Sequence, residues 1–140
     1  MHKPAQRTLF ILVLIYGVAS LLHFIHNAEF LADYPNLPAS WTRLGVYGAW
    51  VVLTLVGVAG WMFYSRGYQL VGLVLLALYA VGGMDSLGHY LVAPLSAHTL
   101  AMNSTIMFEI TTASLVLAMV VKQFITQVML WKASIRDAKP

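Results

Sequence analysis

The sequence predicts an all-α integral membrane protein, a four-helix bundle of transmembrane spans with both termini cytoplasmic. Three observations predict it. Of the 140 residues, 60% are hydrophobic and only 9% charged, whereas soluble domains carry about 25% charged residues. Four apolar segments are each long enough to cross a hydrocarbon core of about 30 Å. Finally, Lys3, Arg7, Arg66, Lys122, Lys132, Arg136 and Lys139 fall on one side of that arrangement and only Arg43 on the other, as positive-inside topology requires. The spans use up residues 1–140 as a single domain and leave almost nothing for an extramembrane one.

The first span is expected over about 8–28. Lys3 and Arg7 before it resemble the charged start of a signal peptide, but no small-residue cleavage site follows and the apolar run continues, which reads as an uncleaved span. The connection from Glu29 to Arg43 is polar, and Pro35 and Pro38 stiffen it. Ser40 is a candidate cap for the second span, about 44–64, whose Trp41, Tyr47 and Trp50 cluster as interfacial aromatics do. Ser65-Arg66-Gly67 predicts a tight turn. The third span, about 68–92, begins bland and changes character at Gly82-Gly83-Met84-Asp85-Ser86-Leu87-Gly88-His89-Tyr90, where small residues allow close helix approach. A break containing Pro94 precedes the fourth span, about 97–122. The tail, 123–140, sets Phe124, Val128 and Trp131 against Lys132, Arg136 and Lys139, an amphipathic pattern suited to a membrane surface.

Several function classes fall away. The formal net charge is +3 and the pI near 9.3, but the basic residues are scattered at span ends, which argues topology and no nucleic-acid partner. With no cysteine there is no thiolate ligand, redox CxxC motif or thiol nucleophile. Gly82-Gly83 lacks the lysine and strand context of a phosphate loop. Nothing marks Ser86, near Asp85 and His89, as an activated nucleophile. The five histidines are too few for the histidine pattern of membrane desaturases.

What remains is a constellation. At 100° per residue, His23, His26, Glu29 and Asp33 lie within an arc of about 120°. Asp85 and His89 are one turn apart, and His98 opens the fourth span, where His98, Met102, Thr105, Glu109 and Thr112 form a stripe within about 80°. The topology brings Glu29, Asp33, His23, His26, Asp85, His89 and His98 to the outer ends of three helices. Glu109 sits about 16 Å deeper than His98, as a cavity floor, a proton relay or a partner for His23. Each ionisable residue in a bilayer core costs at least about 2.5 to 3.5 kcal/mol, so such a cluster points to function.

Imidazoles and carboxylates without thiolate suit zinc, iron or copper. For a metal, His23, His26, Asp85, His89 and His98 are the candidate ligands, with Glu29 as general base on metal-bound water. Iron or copper would use the same ligands with open positions for dioxygen and an apolar substrate. Haem b needs only two facing histidines, His23 or His26 with His89. A metal-free isomerase or cyclase would use Glu29, Asp85 and Glu109 to protonate a lipid-like substrate, with aromatics stabilising cationic charge. Met84, Met102 and Met107 are read as packing before copper handling, and Asn27 and Asn103 as supporting hydrogen bonders.

His26-Asn27-Ala28-Glu29-Phe30, running into Tyr34-Pro35, resembles the signature of the HXXEE family of small bacterial membrane proteins. His89-Tyr90 and Pro94 are loosely similar to that family's further histidine and tyrosine-proline motif, while Phe30 stands where the second glutamate would be. The resemblance implies that His26 and Glu29 belong to an active site.

Together these residues predict a small metal-dependent membrane enzyme, a hydrolase or oxidoreductase, acting on a lipid-like or hydrophobic small molecule. The expected location is a bacterial inner membrane, with the site facing the periplasm among membrane lipids. A haem- or metal-binding subunit of electron transfer or metal transport is the alternative from another class. The small interior of four helices predicts a homo-oligomer or a place in a larger membrane complex.

Overall fold

A computed structural model describes residues 3–137, and these are mostly helical with no strand among them. His2, Lys139 and the end of the predicted tail lie outside the described residues. Four helical stretches are long and apolar enough to cross a membrane: Pro4–Glu29, Arg43–Ser65, Gln69–Val92 and Leu100–Arg136. The helices are α1 (Lys3–Glu29), α2 (Arg43–Ser65), α3 (Gln69–Met84), the short α4 (Gly88–Val92) and α5 (Leu100–Asp137). α2 packs on α3, α3 on α5, α5 on α1 and α1 on α2, which closes a ring.

The boundaries follow local chemistry. α2 is capped by Thr42, not Ser40: the Gly45 N–H donates to Thr42 Oγ1 at 3.0 Å, satisfying one of the orphan donors of the first turn. Gly67, at φ +97°, makes the predicted turn into α3, a conformation open to glycine because it lacks Cβ. α5 starts at Leu100 and not at 97, because Pro94 opens a 3-10 turn over Leu95–Ala97 and the Met102 N–H is capped by Thr99 Oγ1 at 3.2 Å.

Two expectations about continuity change. The third span is not one regular helix: after Met84 the chain tightens to a 3-10 turn at Asp85–Leu87 before α4. Gly82, Gly83, Ser86 and Gly88 are weak helix formers, and tightening there swings Ser86 inward, where it is buried. In the other direction, no break separates a fourth span from a tail. With no proline or glycine after Pro94 until Pro140, α5 runs for 38 residues, about 57 Å.

The core is divided by chemistry. Toward the chain termini, Leu9, Tyr16, Tyr64, Leu73, Leu76, Tyr79, Ala113 and Val116 pack as an apolar cluster. Its lower edge is tied by Gln123, which accepts from Tyr64 Oη and donates to the Ala5 carbonyl at 3.3 Å. At the opposite end lie the buried polar residues Ser20, His23, Asn27, Ser86, His89, His98, Glu109 and Thr112. The α1–α2 loop folds over that end and buries Tyr34, and Asn36 ties it to α4 by donating to the Val92 carbonyl at 2.9 Å.

Candidate functional site

The polar end is assembled from three helices. Ser20, His23 and Asn27 recur at three- and four-residue spacing and so share one face of α1, turned inward because the opposite face, with Leu22 and Ile25, is exposed apolar surface. α5 supplies Thr105 and Glu109 one turn apart. The tightened Asp85–Leu87 turn and α4 supply Asp85, Ser86 and His89.

Glu109 is the centre of the arrangement. It has no exposed surface, and its Oε2 accepts a hydrogen bond from Ser86 Oγ and stands 3.7 Å from His23 Nε2. Its Oε1 has no hydrogen-bond partner among the described residues. The other face of the His23 ring meets α5 again, with Nδ1 3.5 Å from Thr105 Oγ1. That hydroxyl also lies 3.0 Å from the Met102 carbonyl, to which it donates. Both ring nitrogens of His23 thus face α5, Nδ1 toward Thr105 and Nε2 toward Glu109, and the tautomer sets which of the two carries the proton.

His23, Ser86 and His89 also line a cavity of about 390 Å³ between α1, α2 and the end of α3, together with Asn27, Trp41, Thr42 and Asp85. Ligand pockets typically occupy about 300 to 1,000 Å³. Glu109 does not line it; the carboxyl lies one residue behind, reached through His23 and Ser86. The rings of His23 and His89 stand edge to face at 5.4 Å, and Asn27 Nδ2 is 3.2 Å from His89 Nε2.

The other predicted residues are used elsewhere. Glu29 accepts from Arg43 and, at 2.6 Å, from Tyr47 Oη, and so joins α1 to α2 outside the cavity. It is not placed to act as a base there. His26 faces the loop, with Nδ1 2.9 Å from Tyr34 Oη and its ring near Phe30. His26 and Glu29, the two residues the family resemblance implies, thus both hold the α1–α2 connection. His98 Nδ1 is 3.1 Å from the Pro94 carbonyl, while its buried Nε2 has no partner among the described residues. Asp33 is exposed.

His23, His26, Asp85, His89 and His98 therefore do not assemble into one ligand shell: among the described residues no three histidine or carboxylate side chains are grouped so as to hold a metal ion. The physical reason is that His26 and His98 are committed to loop contacts, while His89 shares its Nε2 with Asn27. His23 and His89, the pair considered for haem, touch each other edge to face.

Sequence reasoning missed the roles of Ser86, Thr105 and Tyr34. Thr105 is visible in the sequence as part of the α5 stripe, and Ser86 as the small polar residue beside Asp85. Nothing in the sequence signals that Tyr34, in a proline-rich loop, returns to the bundle. Burial there pushes its phenol up to about 12, so it remains a hydroxyl at working pH.

No family model, curated protein or solved structure matches this chain.

Proposed function

We propose that this chain is an integral membrane acid–base catalyst, an isomerase or cyclase of a hydrophobic or lipid-like substrate, working by proton transfer at the outer-end cavity. The observation that carries this reading is a cavity-lining imidazole backed by a carboxyl with no exposed surface, His23 on Glu109. A proton is taken from one position of the substrate and one is returned to another at the cavity wall, where His23 and Ser86 reach Glu109, so that no atoms or electrons are gained or lost. Glu109 exchanges the proton with His23 and with Ser86, and balances the charge that develops on the ring. Asp85 and His89, on the same wall, orient the substrate's polar group.

The proposed setting is a bacterial inner membrane with both termini cytoplasmic and the cavity toward the periplasm. The basic residues support it. Arg7, Arg66 and Lys122 lie near the level of the Ala5, Tyr64 and Gln123 cluster, while Arg43 is near the cavity end, and the positive-inside rule favours the first end as cytoplasmic.

Solvent isotope uptake tests the reading. Purified protein in detergent, incubated with a bacterial lipid extract in heavy water, is expected to introduce deuterium into a hydrophobic species, read by mass spectrometry. His23→Phe and Glu109→Gln should each abolish the uptake. No uptake by folded protein over a range of bacterial extracts, or uptake unaffected by both variants, overturns the proposal.

A further inference from the structure

Below the outer cavity lies a second hollow. It measures about 370 Å³ and is walled by α1 (Phe10, Leu14, Gly17, Leu21), α2 (Thr54, Gly57, Val58, Trp61) and Tyr79 of α3. Its walls are apolar apart from Thr54 and the Tyr79 phenol. The two hollows adjoin on the helices that line both. On α1, Leu21 of the lower hollow is one turn from Phe24 of the upper; on α3, Tyr79 of the lower is one turn from Gly82 of the upper. Between them, Leu53 lies over Gly82, where a Cβ would overlap its side chain. The α1–α2 seam thus carries a polar upper hollow and an apolar lower one, with Leu53 at the level between them on α2. From Phe24 to Phe10 it descends about 21 Å, roughly two thirds of a 30 Å hydrocarbon core.

The charge of the upper chamber selects the head of an occupant. Asp85 is the one acidic or basic side chain other than histidine on its wall, and no lysine or arginine pairs with it among the described residues. Arg43, the nearby cation, is taken by Glu29. A phosphate head would find no counter-ion there. An ammonium would find the Asp85 carboxylate and the exposed indole of Trp41, whose face attracts cations.

We infer that the α1–α2 furrow binds a long-chain amine, its ammonium at Asp85 and Trp41 and its chain threaded past Leu53 into the lower hollow. This names the substrate class for the proton-transfer site and rests on that reading for its catalytic meaning. The binding itself does not depend on turnover.

The test is photolabelling of the full chain in phosphatidylcholine nanodiscs. Three probes share one long chain with a mid-chain diazirine and end in an amine, an alcohol or a phosphate monoester. The amine is expected to label peptides of Leu14–Leu21 and Thr54–Met62 at least about tenfold more than the phosphate. Asp85→Asn should bring the amine down to the alcohol's level. Val58→Trp fills the lower hollow from a half-exposed position and should remove labelling there while leaving helicity and monodispersity unchanged.

Equal labelling by all three probes, or labelling spread over the lipid-facing surface of α5, would mean ordinary bilayer lipid in the furrow and overturns the inference. Labelling that survives Val58→Trp unchanged also overturns it. Selective labelling without deuterium uptake would sustain the amine site and sink the catalytic proposal; uptake without selective labelling would do the reverse.

Discussion

His23 Nε2 and Glu109 Oε2 face each other at 3.7 Å across the α1–α5 interface. The pair sits where the apolar core gives way to polar groups, so a carboxyl deep in the bundle communicates with an open cavity through one ring. An ionisable residue at membrane depth costs several kcal/mol unless it finds partners, and here Ser86 and His23 supply them.

Replacing Glu109 separates its two roles. Glu109→Gln preserves the volume and an acceptor for Ser86, so the protein should fold, while deuterium uptake falls by at least about 100-fold, the scale of a lost acid–base partner. Glu109→Ala leaves a void and an unpaired Ser86 hydroxyl, and should cost about 2 to 4 kcal/mol of stability. Thermal melts in detergent beside the uptake assay check both. Uptake in the glutamine variant at the wild-type rate would remove Glu109 from the chemistry.

The seat of Tyr16 against Gly83 gives a second prediction. A Cβ at Gly83 would overlap the Tyr16 ring, which is held by donation from Tyr16 Oη to the Tyr79 carbonyl at 2.9 Å. Gly83→Ala should therefore destabilise by about 1 to 3 kcal/mol, the usual cost of overpacking, and the double variant Gly83→Ala with Tyr16→Leu should recover part of it. An unchanged melting temperature in the single variant would mean that α1 and α3 separate easily.

The spans are legible in the sequence because hydropathy, length and the distribution of basic residues all report on the same thing, a bilayer. Helical spacing, combined with that topology, also brings His23 and His89 to one end of the bundle, and offers Glu109, deeper in the bundle, as a cavity floor, a proton relay or a partner for His23. Spacing does not say which nitrogen or oxygen finds which partner. Glu29 belongs to the same α1 arc as His23, yet Arg43 and Tyr47, distant in sequence, draw it away. His26 lies in the middle of that arc, yet its ring is met by the returning Tyr34. Loop path decides both outcomes, and a loop with Pro35, Asn36 and Pro38 carries little periodic information. The glycines around Asp85–Leu87 foreshadow a weak point in the helix but do not specify a change of helix type.

Glu29 then becomes a control. Because its carboxyl serves Arg43 and Tyr47 outside the cavity, Glu29→Gln should leave deuterium uptake within about twofold of wild type, as for an ordinary surface substitution. A loss as deep as that of Glu109→Gln would show that Glu29 reaches the substrate after all, in a conformation that breaks its pair with Arg43.

Tyr34 offers a prediction with a pH sign. Burial raises its phenol from 10.0 to about 12, so the folded state favours the neutral hydroxyl. The contribution is fully present below the ordinary tyrosine value and is lost as pH rises toward about 12. Tyr34→Phe, which removes the 2.9 Å contact with His26 Nδ1, should cost about 1 kcal/mol. That cost should be constant between about pH 8 and 9, above the ordinary imidazole range and below the ordinary tyrosine pKa. Melts across that range check it, and a cost that changes sharply within it would mean that another group titrates with the phenol.

The last prediction concerns metal. Four of the proposed ligands have other engagements or neighbours: His26 with Tyr34, His89 with Asn27, His98 with the Pro94 carbonyl, and His23 with Thr105 and Glu109. To gather three of them around one ion would break several of these contacts and draw the α1–α2 loop inward, at about 1 kcal/mol for each hydrogen bond lost. Proton transfer through His23 and Glu109 needs no such rearrangement. Deuterium uptake should accordingly survive prolonged chelation with less than about a twofold loss, within the range of a neutral change. Added zinc should not raise it, because zinc would compete for the His23 nitrogen that faces Glu109. If chelation abolishes uptake and one equivalent of zinc, iron or copper restores it, the loop must close over an ion in the active state. His26→Ala would then abolish the restored activity, whereas in the metal-free mechanism that variant loses only its contact with Tyr34.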